Sequence, residues 1–74
     1  QFYVIVGSAR KYEDAYRSWS RWNKELEGLR IYQFNPQLFR IGFEAGSNEL
    51  EALNHLRTTL KVQSDAWIIR PGTL

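Results

Sequence analysis

The chain matches itself 37 residues out of step. Phe39-Arg40-Ile41-Gly42-Phe43 falls on Phe2-Tyr3-Val4-Ile5-Val6, and the match runs on past the strand. Ala52 lands on Ala15, Leu53 on Tyr16, Leu56 on Trp19 and Ile68 on Ile31, while Ser47 comes near Ser8. A period of half the chain's 74 residues makes the sequence two copies of one strand-helix-strand unit. Two such units in series give βαββαβ. With right-handed crossovers this is an α+β fold of the ferredoxin or ribonucleoprotein type, a four-stranded antiparallel sheet with both helices on one face.

Each copy carries local signals for these elements. Phe2 to Val6 is aromatic or β-branched throughout and reads as a strand broken by Gly7-Ser8. From Tyr12 to Glu27 the apolar period becomes helical, with Ala15, Trp19, Trp22 and Leu26 in one stripe and Gly28 as the expected C-terminal cap. Leu29 to Phe34 reads as the second strand, Asn35-Pro36-Gln37 as a three-residue turn, and Leu38 to Phe43 as the third strand. Asn48 with Glu51 three residues on resembles a capping box, opening a helix to Lys61 with Ala52, Leu53, Leu56 and Leu60 apolar. Asp65 to Arg70 is the last strand, ended by Pro71-Gly72.

Strand alternation divides the sheet residues into two faces. Phe2, Val4, Val6, Leu29, Ile31, Phe39, Ile41, Phe43, Ala66 and Ile68 face the helices. Tyr3, Ile5, Arg30, Tyr32, Phe34, Leu38, Arg40, Trp67 and Ile69 face the other way, where the architecture provides no cover. So large an apolar and aromatic surface on a small domain marks a binding surface. Eleven Trp, Tyr and Phe side chains are more than one small core needs, which agrees with several lying at a surface.

Composition narrows the chemistry. At 74 residues the chain is one domain, and with no cysteine it has neither disulfides nor thiolate ligands. Its Gln1 start marks it as an expected fragment of a longer protein. His55 is the one histidine and falls mid-helix among polar neighbours, with no serine placed beside it as a nucleophile. Glu13, Asp14, Glu25, Glu27, Glu49 and Glu51 fall on the predicted helices, so no carboxylate pair is placed in a cleft. Neither G-x-G-x-x-G nor a P-loop follows Gly7. The expectation is a binding module with no catalytic residue, cofactor or metal, and no membrane span in this stretch.

Tyr3-Val4-Ile5-Val6-Gly7-Ser8, followed by Glu13-Asp14-Ala15 at the start of the helix, resembles the opening of SPOR (sporulation-related repeat) domains. Phe39-Arg40-Ile41 is similar to their third strand, and Glu51-Ala52, Leu56 and Asp65-Ala66-Trp67-Ile68-Ile69 fit the remainder. The resemblance covers essentially the whole chain. It departs at Ile5, where many members carry Gln, at Ala9, where they carry Phe, and at Phe43-Glu44, where a Gly often follows strand three. SPOR domains bind bacterial peptidoglycan through the uncovered sheet face and prefer denuded glycan strands, whose stem peptides have been removed. The resemblance therefore implies glycan strands as the partner, with divisome or other envelope proteins reached through the parent protein. It also implies a periplasmic, septal location and a monomeric domain. The implied ligand-binding residues are Tyr3, Ile5, Ser8, Arg40 and Trp67, to which the shared face adds Arg30, Tyr32 and Ile69.

The residues themselves are consistent with sugar recognition. Pyranose rings pack their C–H faces on Trp and Tyr, and a free lactyl carboxylate suits an arginine beside those rings. Two other readings use the same surface. One is a protein–protein interface through Ile5, Leu38 and Ile69. The other is base stacking as in RNA-recognition modules, which the net charge of +2 and the absence of the K/R-G-F-G-F-V-x-F signature disfavour, so nucleic acid is not expected.

Overall fold

The computed structural model describes residues 1–70, so the expected Pro71-Gly72 stop lies outside the described residues. The elements follow as β1 (Phe2–Ala9), α1 (Tyr12–Trp22), β2 (Arg30–Asn35), β3 (Leu38–Gly46), α2 (Glu49–Leu60) and β4 (Trp67–Ile69). The four strands form one antiparallel sheet in the order β2-β3-β1-β4, and both helices cover the same face. The duplicated α+β architecture expected from the repeat is the one observed.

The core divides into two clusters, each with one helix's alanine and each drawing residues from both copies. Val6, Ala15, Leu26, Leu29 and Ile41 form one buried cluster, and Val4, Ala45 and Ala52 form a second. Phe43 and Ala66 pack against both and join them. Ala15 and Ala52, equivalent in the two repeats, have no exposed surface, and their small side chains let each helix approach the sheet closely.

β1 does not stop at Gly7-Ser8. It runs on to Ala9, with a bulge between Ile5 and Gly7 where it pairs with β3. Ile5 pairs with Gly42 and Gly7 with Ile41, so Val6 is the extra residue, and both Val6 and Gly7 lie on the core side. Unbroken alternation would have turned Ser8 inward, whereas the bulge returns it to the open face, paired with Arg40. The Gln63 side-chain amide donates to the Val6 carbonyl at 3.2 Å, tying the connection after α2 to the bulge.

Three further boundaries differ from expectation. α1 ends at Trp22, not Glu27, with the Asn23 N–H returning to the Trp19 carbonyl. A helix running to Glu27 would carry the chain away from the sheet. Instead the Trp19 indole donates to the Leu29 carbonyl at 2.8 Å, and Gly28, at φ +76°, turns the chain into β2. Leu26 remains buried although it lies outside the helix. The β2–β3 turn holds two residues rather than three, because Asn35 pairs with Leu38 and its side chain accepts from the Gln37 N–H at 2.8 Å. An irregularity between Tyr32 and Asn35 absorbs the one-residue difference, so Tyr32 opposite Arg40 and Arg30 opposite Gly42 stand as expected. β4 is confined to Trp67–Ile69, although Ala66 still packs in the core.

α2 buries a different stripe from the one its leucines suggest. Ala52 and Thr59 are buried and Leu56 packs beside them, while Leu50, Leu53 and Leu60 are exposed. Thr59 tolerates burial because its hydroxyl donates to the His55 carbonyl at 2.8 Å. Asn48 caps the helix as expected, accepting from the Glu51 N–H at 2.8 Å.

Candidate binding face and adjoining groove

The register assembles all eight expected ligand-binding residues on the face away from the helices. Paired residues on adjacent strands share a face, and three successive rows cross the sheet. The first is Glu44–Tyr3–Ile69, the second Arg30–Gly42–Ile5–Trp67, and the third Tyr32–Arg40–Ser8.

Within this frame the rings gather at two places. Tyr32 and Phe34 stack at 5.2 Å with 9° between their planes, and Tyr3 stands edge-on to both at 5.1 Å. This three-ring cluster draws from β2 and β1 across the intervening β3, over a row whose β3 member is Gly42. Gly42 is buried, and a Cβ there would overlap the Val4 carbonyl oxygen and come within 2.8 Å of the Ile5 side chain. The second place is Trp67 on β4. The Arg40 guanidinium reaches it from β3 across β1, 6.0 Å from the ring centroid.

Ile5 belongs to this face but has no exposed surface. It fills the space that Gly42 leaves and lies among Tyr3, Arg40 and Trp67, so it is floor rather than contact surface. A glutamine in place of Ile5 would be a costly side chain to bury here. The face as a whole is less open than the topology suggests, since Tyr3, Tyr32, Arg40, Trp67 and Ile69 are each half-buried against one another. Arg30 and Ser8 are exposed.

The charges on this face are separated along the strands. Arg40 lies at one end, toward a shallow depression lined by Arg10, Asn35, Gln37 and Leu38. Glu44 lies at the other. Among the described residues the one ion pair is Asp14–Arg17 on α1, so neither Arg40, Arg30 nor Glu44 is neutralised by a partner there. At the Glu44 end the surface opens into a groove of about 630 Å³ between the α1–β2 connection, the sheet and α2. Its walls include Glu25, Glu27, Arg30, Tyr32, Glu44 and His55. The Tyr32 phenol is held above its ordinary pKa of 10.0, first by burial, then by the negative charge of Glu44 and by Tyr3, with Arg30 opposing. It therefore stays a neutral hydrogen-bond donor throughout the physiological range.

Three residues of this site carried no functional signal in the sequence. Glu44 reaches the open face only because β3 continues to Gly46, beyond the expected end at Phe43. Glu25 and Glu27 leave the expected helix surface and line the groove because α1 stops early. His55 is exposed as expected, with its ring edge-on to Phe43 at 6.0 Å. Comparison with protein-family models, with curated proteins and with solved structures found no match to this chain.

Proposed function

We propose that this domain is a non-catalytic module that binds peptidoglycan glycan strands on its open sheet face, preferring strands stripped of their stem peptides. In this reading it directs a parent protein of the bacterial envelope to the septum or cell wall. The observation that carries the reading is the convergence on one face of a three-ring cluster, a tryptophan and an arginine without a carboxylate partner among the described residues. Sugar faces stack on the rings, and hydroxyl and N-acetyl groups meet Ser8, the Tyr32 hydroxyl and Arg30. The lactyl carboxylate of an unsubstituted muramic acid pairs with Arg40 through charge-assisted bonds. A stem peptide converts that carboxylate to an amide and adds bulk over a shallow surface, which supplies a physical reason for the preference.

The test is co-sedimentation with purified sacculi before and after amidase treatment, using the native domain and Trp67→Ala. The expected result is stronger pelleting with treated sacculi and loss of pelleting in the variant. Equal failure to pellet with both preparations overturns the reading. Binding that weakens steeply with salt and extends to RNA would redirect it to nucleic acid.

A further inference from the structure

α2 keeps an apolar flank that no described element covers. Leu50, Leu53 and Leu60 are exposed, and with Arg57 they recur at helical intervals along one continuous stripe. The stripe lies on the β4 side of the helix. Ala52 and Thr59 point to the sheet, while His55 and Thr58 line the groove on the side of the α1–β2 connection. Leu53 and Leu60 project about a quarter-turn from Ala52 and Thr59 in the other direction. On that side β4 is the outermost strand, and its far edge pairs with no described strand. Trp67-Ile68-Ile69 carries neither a charge nor a proline, the devices that close such an edge.

The open edge and the leucine flank are self-complementary about one axis. A two-fold axis through Ile68, normal to the sheet, sets β4 antiparallel against a second β4 and sets the two α2 helices antiparallel beside each other. Val4, the ladder partner of Ile68, packs in one cluster with Ala52 and Leu56, so this axis passes the middle of α2. Two helices side by side over four strands leave α2 above the β1–β4 half, since α2 reaches β4 and α1 reaches β2. The paired helices then stand about two strand spacings apart, roughly 9–10 Å, the distance at which helices pack. Leu50 meets the partner's Leu60, and Leu53 meets the stem of the partner's Arg57. Glu49 in the first turn faces the partner's Lys61, and neither is ion-paired among the described residues. Acid at one end of the helix and base at the other is what an antiparallel copy requires.

We infer that a second copy of this chain covers the flank, forming a two-fold dimer with one eight-stranded sheet and a central α2 pair, in place of the monomer that the resemblance implies. Both open faces lie on the same side of that sheet. The two Trp67 residues, each one residue from the axis, stand diagonally across the shared edge. Where the face binds glycan, two Trp67–Arg40 platforms become one continuous surface and bind with avidity. That consequence rests on the glycan reading, whereas the dimer itself does not.

The experiment is analytical ultracentrifugation of the native domain without glycan, from about 10 µM to about 1 mM, the range suited to an interface below about 1,200 Å². The mass is expected to rise from one chain toward two, and amide hydrogen exchange of Trp67–Ile69 to slow over the same range. Leu53→Arg sets like charges together twice in a symmetric dimer and should raise the dissociation constant about tenfold or more, with the circular dichroism of the fold kept. Glu49→Lys should weaken the dimer by about two- to tenfold, and Lys61→Glu added to it should restore the affinity, which a merely structural effect on the helix would not do. A mass that stays at one chain throughout overturns the inference, and so does a dimer that neither Leu53→Arg nor the charge reversal changes. A dimer that fails to pellet with sacculi supports the inference while the glycan reading falls. A monomer that pellets overturns the inference and leaves the glycan reading in place.

Discussion

The Arg40 guanidinium carbon lies 6.0 Å from the centre of the Trp67 ring, although Arg40 is on β3, Trp67 is on β4, and β1 runs between them. The arginine thus spans a whole strand, over a β1 segment whose Ile5 is fully buried and whose Ser8 is its own register partner. Its charge is held on the face by a ring rather than by a carboxylate, which keeps the guanidinium available to an anion while fixing its position.

Arg40→Gln is therefore expected to weaken binding of amidase-treated glycan by about tenfold or more, the worth of a charge-assisted contact. Folding stability should fall by less than about 1 kcal/mol, the scale of an exposed cation–π contact. Arg40→Lys should bind at an intermediate level, since an ammonium keeps the charge but loses the planar fork. Calorimetric titration with soluble denuded glycan, paired with a urea melt, separates the two effects. Unchanged affinity in Arg40→Gln would remove the carboxylate from the recognition scheme.

The open face was legible in the sequence because it depends on pairings that alternation and the repeat both specify. Tyr32 stands opposite Arg40 as alternation and a hairpin at Pro36 lead one to expect, although the irregularity between Tyr32 and Asn35 is what offsets the two-residue turn, and Ile5 opposite Trp67 needs only the duplicated topology. What escaped was set by tertiary contacts. The bulge at Val6 has no residue signature, yet it decides which way Ser8 points. The early end of α1 follows from the Trp19–Leu29 hydrogen bond, a contact between residues ten apart that periodicity does not encode. On α2 the leucine pattern suggested Leu53 and Leu60 inside, but the close approach of Ala52 to the sheet turns the helix so that Thr59 is buried. The groove depends on two of these departures, and so no sequence pattern announced it.

Gly42 and Gly7 offer a contrast between two glycines of the same sheet. A Cβ at Gly42 would overlap the Val4 backbone oxygen, which cannot move without opening the β1–β3 ladder. At Gly7 the nearest atom to a new Cβ is the Ile41 Cδ1 at 3.8 Å, an ordinary contact. Gly42→Ala is expected to destabilise the fold by about 1–3 kcal/mol through overpacking. Gly7→Ala should be neutral or stabilising by up to about 1 kcal/mol through the unfolded chain. Chemical denaturation of the two variants measures both, and equal effects would contradict the geometry.

The helix starts differ in the same way. Asn48 caps α2 through its side chain, whereas Lys11 stands at the N-cap of α1 with no side-chain bond. Asn48→Ala should cost about 1 kcal/mol, and Lys11→Ser should add a few tenths to about 1 kcal/mol. The backbone at Lys11 is already extended, at φ −111° and ψ 142°, so serine needs no rearrangement to reach the N–H groups of the first turn. Thermal melts of the two single variants test the pair, and no gain from Lys11→Ser would mean that those N–H groups are already satisfied by water.

Tyr32 links stability to alkaline pH. Burial and then Glu44 disfavour its phenolate, so the folded-state pKa lies above the value of 10.0 that the unfolded chain takes. Over that interval the folded protein binds the proton and the unfolded chain has lost it, so stability falls as pH rises. The contribution is fully present below about pH 10 and is lost progressively as pH climbs through the folded-state value. Tyr32→Phe removes the titrating group while keeping the ring that stacks on Phe34, and should flatten the decline above pH 10. Glu44→Gln should shrink the same decline in part, because burial, the larger cause, remains. Urea unfolding from pH 8 to 12 in the three proteins reads this directly. A Tyr32→Phe profile as steep as the native one would mean that another group governs the alkaline limb. A Glu44→Gln profile indistinguishable from native would mean that the carboxylate at the mouth of the groove does not reach the phenol.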